Sequence, residues 1–257
     1  GCPEFIRYTN EFFLRLNLNP MHLHSLRQYQ QHAGGIMKRF ATKFFSLVVA
    51  LSLALGMVGQ ITQPVNADGS ASLTTLSVAY TQNFDTLATS GTTNATSTLP
   101  TGWMLTETGG GARDNEQYGA DTGGSNTGDT YSYGSAASTD RAFGGLQSGT
   151  LVPTIGASFT NNTGDTIASL AIAYTGEQWR LGTAARTDLI KFQYSTNATS
   201  LSDGTWSDAS NLDFVTPNTA TTGAKDGNAV ANRTALSTTI TGLSISNGST
   251  FWIRWIS

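Results

Sequence analysis

Beyond Ala67 the chain has no cysteine and no histidine: the only cysteine is Cys2, and the histidines are His22, His24 and His32. Residues 68–257 therefore hold no disulfide, no thiolate nucleophile, no imidazole base and none of the usual zinc-ligand sets. Charge is also scarce, at 12% Asp, Glu, Lys and Arg over the whole chain. Basic residues are the scarcer sign, with 8 Lys and Arg against 15 Asp and Glu in residues 68–257. A surface that acidic argues against nucleic acid as a partner. Leu, Ile, Val and Phe are only 32 of those 190 residues, a level at which disorder has to be considered. Against disorder stand 6 Phe, 6 Tyr and 5 Trp in the same stretch, since disordered chains lack aromatic residues.

Thr, Ser, Gly and Asn dominate, with 93 of the 190 positions, a composition of turn formers and of side chains suited to the solvent face of a sheet. Several segments alternate with period two, as a strand with one buried face requires. Leu76, Val78 and Tyr80 alternate with Ser77, Ala79 and Thr81, and Leu170, Ile172 and Tyr174 with Ala171, Ala173 and Thr175. Segments 189–194 and 250–255 read the same way, the latter with Phe251, Ile253 and Trp255 on one face and Trp252 and Arg254 on the other. Turn signals lie between them at Gly123-Gly124, Asp203-Gly204, Asp226-Gly227 and Asn247-Gly248. No capped run of helical period follows Ala67. The pattern predicts an all-β, antiparallel β-sandwich.

The N-terminal third reads differently. From Met37, the basic Lys38, Arg39 and Lys43 precede an apolar run from Phe44 to Gly59 and a small-residue ending at Val65-Asn66-Ala67, the order of a secretory signal peptide. The apolar run is shorter than the roughly 20 residues a bilayer span needs. The expected organisation is a leader over 1–36, untranslated or disordered, a signal-peptide helix over 37–67, and a β-sandwich domain over 68–257. The product is then secreted or held at the cell surface, with no membrane segment after cleavage. At the other end, Thr250 to Ser257 is a strand-prone run with no turn residue after it. It is expected to leave a truncated sheet with an unpaired edge.

Candidate chemistry is sparse. Glu107, Glu116 and Glu177 are the only glutamates after Ala67; a glycosidase would need two carboxyls about 5 to 10 Å apart. Asp85, Asp114, Asp121 and Asp129 lie among Gly, Asn and Ser, yet no Asp-x-Asn-x-Asp-Gly calcium ladder occurs. The pentapeptide Asn-Thr-Gly-Asp-Thr occurs at 126–130 and 162–166 and reads as a recurring tight turn. The five tryptophans are candidate sugar platforms, some of which must be core. Trp179, in Gly176-Glu177-Gln178-Trp179-Arg180, either presents an aromatic face beside Arg180 or closes the core as a lid with a Glu177–Arg180 pair at its rim.

The runs Tyr80-Thr-Gln-Asn-Phe84-Asp85-Thr-Leu87, Leu99-Pro100-Thr-Gly102-Trp103, Asp140-Arg141-Ala142-Phe143-Gly144-Gly145-Leu146, Ala173-Tyr-Thr-Gly-Glu-Gln-Trp179-Arg180 and Phe251-Trp-Ile-Arg-Trp255 resemble a jelly-roll-like β-sandwich module. That module stands near the N-terminus of large secreted bacterial proteins, including Ig-repeat surface proteins and extracellular nucleases or phosphatases. The resemblance covers nearly all of residues 76–256. It implies a closing strand after Trp255 and a structural calcium held through Asp85. It also implies a non-catalytic module for adhesion, surface display or glycan contact, whose partners are a cell-surface glycan or downstream domains of the same chain. The rival expectation is an accessory domain of a secreted nuclease or phosphoesterase.

Overall fold

A computed structural model describes residues 13–16 and 69–257. The expected signal-peptide helix over 37–67, and most of the expected leader, lie outside the described residues. Among the described residues the helical content is three short 3-10 turns, Thr96–Thr98, Ser210–Leu212 and Val230–Asn232, and no helix is long and apolar enough to cross a membrane. The rest of the regular structure is strand, except that the strand expected from the alternation at Leu76 to Thr81 does not form: Ser77 stands in a turn at φ +62, Val78 is 60% exposed, and Tyr80 makes only an isolated bridge.

The largest sheet is built on β8 (Val152–Asn161) and β16 (Thr250–Ile256). Outward from β16 lie β11 (Leu189–Ser195) and β12 (Ser207–Asp208), with β13 (Phe214–Val215) also on β11; on the far side of β8 lie β2 (Ala71–Leu73) and β4 (Trp103–Thr108). β16 runs antiparallel to both neighbours, Thr250 to Ile256 against Thr160 to Thr154 and Trp252 to Ile256 against Ser195 to Lys191. The unpaired edge expected at Thr250–Ile256 is therefore corrected: this strand is central, and its ladder groups have partners on both sides.

A second sheet orders β1 (Phe13–Leu16), β9 (Ile167–Glu177) and β15 (Arg233–Ile245). β9 and β15 keep register from Arg233↔Glu177 to Thr241↔Ser169, then slip before Ile245. Gly242 lies in that slip at φ +76, where a β-bulge favours glycine. A third sheet orders β3 (Asn94–Ala95), β5 (Gln117–Asp121), β6 (Asp129–Tyr133) and β7 (Ala142–Leu146), and β10 (Arg180–Leu181) pairs with β14 (Gly223–Ala224). β5 is parallel to β6 and β2 is parallel to β8. The all-β expectation holds, and the sheets are mixed rather than purely antiparallel.

The alternation decides the core. Phe251, Ile253 and Trp255 of β16 share one buried cluster with Phe159, Ala157 and Ile155 of β8, Trp103 and Leu105 of β4, and Leu170, Ile172 and Tyr174 of β9. Trp255 stacks on Trp103 with centroids 5.8 Å apart and takes the edges of Tyr174 at 5.5 Å and Phe192 at 5.0 Å, arrangements that suit the ring quadrupole. Trp252 points the other way and is covered from within the chain, by Ala198 and Leu201, with Met104 and Trp206 packed alongside. The covering loop is tied down by Asp203, whose Oδ1 accepts the amides of Thr199 and Ser200 at 2.7 and 2.9 Å.

Candidate functional site

Asp85 sits in a turn. Its N–H donates to Asn83 Oδ1 at 3.2 Å, its Oδ2 accepts from Asn83 Nδ2 at 2.7 Å, and its Oδ1 is shielded from solvent without a partner among the described residues. The turn is set by Phe84, held at φ +62, fully buried, with its ring edge-on to Trp103 at 4.6 Å. A calcium ion takes six to eight oxygens. Asp85 and Asn83 supply only a small part of that set, and among the described residues no three His, Cys, Asp or Glu side chains gather as a metal site. These residues by themselves do not fit the ion.

At the end of β9 the structure brings Glu177 and Trp179 together in the interior, while Arg180 turns to the loop after β5, so the expected Glu177–Arg180 pair at a rim is replaced by separate partners. Trp179 is 1% exposed and Glu177 fully buried; the indole Nε1 donates to Glu177 Oε2 at 3.2 Å, and the ring stacks on Tyr133 at 6.1 Å. Gly227 seals the outer side, where a Cβ would come within 2.2 Å of the indole nitrogen. Arg180, half-buried, gives its Nη1 to the carbonyls of Gly123 and Gly124 at 3.1 and 3.0 Å. The guanidinium thereby ties down the Gly-rich loop after β5. In that loop Asp121 accepts the amides of Gly123 and Ser125, so Asp121 and Asp129 serve different partners.

A buried acidic pair, Glu107 and Asp129, lies elsewhere. Glu107, on the inward side of β4, is 4% exposed, and Asp129, the first residue of β6, is 1% exposed. Glu107 Oε1 accepts the N–H and hydroxyl of Thr130, both at 2.8 Å, and its Oε2 accepts the amide of Asn115 at 3.1 Å. Asp129 Oδ2 accepts from Arg113 Nη1 at 2.5 Å. Glu116 Oε1 reaches back to the Glu107 amide and the Thr106 hydroxyl, each at 3.1 Å. Burial pushes the Asp129 carboxyl up to about 7, helped by the Glu107 charge and opposed by the Arg113 guanidinium. Every oxygen of the Glu107–Asp129 pair accepts from internal donors, and two of those donors, Arg113 and Asn115, lie on the loop after β4.

The outward face of the main sheet carries a different cluster. Register places Asp208 opposite Gln193 and Gln193 opposite Arg254, so three strands deliver three polar side chains in one row. Gln193 Nε2 donates to Asp208 Oδ1 at 2.6 Å, and Arg254 Nε donates to Gln193 Oε1 at 2.8 Å. The Arg254 guanidinium carbon lies 3.9 Å from the ring centroid of Trp206, a cation–π contact. The half-buried Trp206 is fixed by its Nε1 bond to Asp203 O at 2.6 Å. Next in the row is Gly156, where a Cβ would come 2.6 Å from Leu201 Cδ2; its absence lets the 197–206 loop lie on the sheet. Sequence reasoning counted Trp206 only as one tryptophan among five. The signal that finds the cluster is strand register, which the alternation alone does not provide.

No protein-family model matches this chain, and no curated protein and no solved structure matches it either.

Proposed function

We propose that residues 68–257 form an exported, non-catalytic β-sandwich module that makes glycan contact within a larger protein through the outward face of its main sheet. The observation that carries the reading is the Trp206–Arg254–Gln193–Asp208 cluster. An aromatic ring held partly open beside a guanidinium, an amide and an exposed carboxylate matches the chemistry of a sugar, which offers a C–H face for stacking and hydroxyls for planar polar groups. The cluster stands on paired strands, and two of its members lock each other's rotamers, so little order has to be gained on binding.

The carboxyls elsewhere support the absence of hydrolysis. Glu107, Asp129 and Asp121 are engaged by backbone amides and Arg113, and Glu177 is buried under Trp179. The test is a glycan-array screen of the full chain and its Trp206→Ala variant. The expected result is binding to a restricted set of saccharides that falls at least about tenfold in the variant, the loss of one stacking contact of about 1.4 kcal/mol. Absence of any saccharide binding, or binding unchanged by Trp206→Ala, would overturn it.

A further inference from the structure

The Glu107–Asp129 pair belongs to no binding surface, yet it anchors a loop with a hinge. The 109–116 loop leaves β4 through Gly109, Gly110 and Gly111, at φ +96, +85 and +117. Gly109 is anchored, because a Cβ there would lie 1.7 Å from Thr150 O, whereas Gly110 and Gly111 have open space around them. Beyond this hinge, Arg113 reaches Asp129 and the carbonyl of Thr92, and the Asn115 amide reaches Glu107.

We propose that Glu107, Asp129 and Arg113 form a proton-gated latch, which holds the 109–116 loop against β4 and β6 while Asp129 carries a proton and releases the loop when Asp129 ionises.

The charge count gives the reason. With a proton on Asp129, the single guanidinium of Arg113, which is 27% exposed, faces one fewer buried negative charge. Without that proton, two desolvated carboxylates share one cation, and the added attraction to Arg113 is smaller than the cost of burial together with their mutual repulsion. Other charges do not relieve it. From the loop itself come Asp114, turned to the Gly110 amide, and Glu116, turned to the Glu107 amide; from β6 comes Tyr131 and from β5 Asp121, neither a cation. The strands flanking the pair oppose it with Leu146 of β7 and Pro153 of β8. Opening at Gly110 and Gly111 admits water to both carboxylates at the cost of a few loop hydrogen bonds.

The experiment is hydrogen exchange by mass spectrometry on the full chain at about pH 5.5 and about pH 8.5, each normalised to the intrinsic amide rate. Protection of the 110–116 segment should fall roughly tenfold or more at the higher pH, while β8 and β16 are unchanged. Glu107→Gln leaves Asp129 alone with Arg113, so its loop should stay protected at both pH values. Asp129→Asn removes the titrating partner and should also lose the pH dependence. Wild-type protection that is equal at both pH values would overturn the latch, as would a Glu107→Gln loop that opens like the parent.

Discussion

At the scale of the residue, two positions show how burial turns ordinary side chains into sensitive ones. Asp129 is raised from 3.8 to about 7, so between those values the folded chain holds a proton that the unfolded chain has released. The unfolded state binds fewer protons there, and stability falls as pH rises. This contribution is complete below about pH 4, declines through about pH 7 and is flat above. The expected loss is about 2 kcal/mol once water around the half-buried Arg113 is allowed for. Urea titrations across that range should show the slope, and Asp129→Asn should flatten it. Gly227 is sensitive for a steric reason: a methyl group would meet the Trp179 indole at 2.2 Å in a buried, close-packed cluster. Gly227→Ala should cost about 1–3 kcal/mol by overpacking, read as a lower melting temperature. An unchanged midpoint would mean that the 223–229 segment yields freely.

At the scale of the element, β16 carries the main sheet. It holds Trp255 in the inner core with three aromatic neighbours, and Trp252 outside beneath a loop closed by Leu201. Truncating the two should therefore have different consequences. Trp255→Ala leaves a cavity that rigid strands on both sides cannot fill, at about 3–5 kcal/mol. Trp252→Ala lets the 197–206 loop settle and should cost less, with hydrogen exchange rising in that loop alone. Chemical denaturation of both variants checks the order. A Trp252→Ala variant as unstable as Trp255→Ala would show that the loop is part of the cooperative core.

At the scale of the whole molecule, the proposed export has a structural consequence. Expression with the leader in a bacterial host should yield a product outside the cytoplasm that begins at or near Asp68, as N-terminal sequencing would show. A product retained in the cytoplasm and still carrying Met37 would overturn the reading. Cleavage there removes β1, so β9 keeps β15 as its neighbour on one side. The β9 amides facing β1 should then exchange faster than those facing β15, and a comparison of processed and unprocessed protein measures that difference.

Much of the architecture was legible in the residues, because period-two alternation is a local property that reports which face of a strand is buried. The split of Phe251, Ile253 and Trp255 from Trp252 and Arg254 was visible before any partner strand was known. So was the choice of strand over helix, which follows from abundant Thr and Ser, scattered Gly and the absence of capped helical periods. Pairing was not legible, since alternation says nothing about which strand lies alongside. Tertiary structure alone made β16 central instead of an edge, ran β5 parallel to β6, and brought Gln193, Arg254 and Asp208 into one row. The repeated Asn-Thr-Gly-Asp-Thr shows the limit most directly. In the second copy Asp165 is an exposed turn residue, whereas in the first Asp129 is 1% exposed beside Glu107 and Arg113. The same five residues turn at Gly164, φ +87, in the second copy, whereas in the first Gly128 has no positive φ and Asp129 already opens β6. Whether the aspartate carboxylate meets water or a second buried acid depends on strands far away in the chain, which is why the sequence determined the elements and only their packing decided the chemistry.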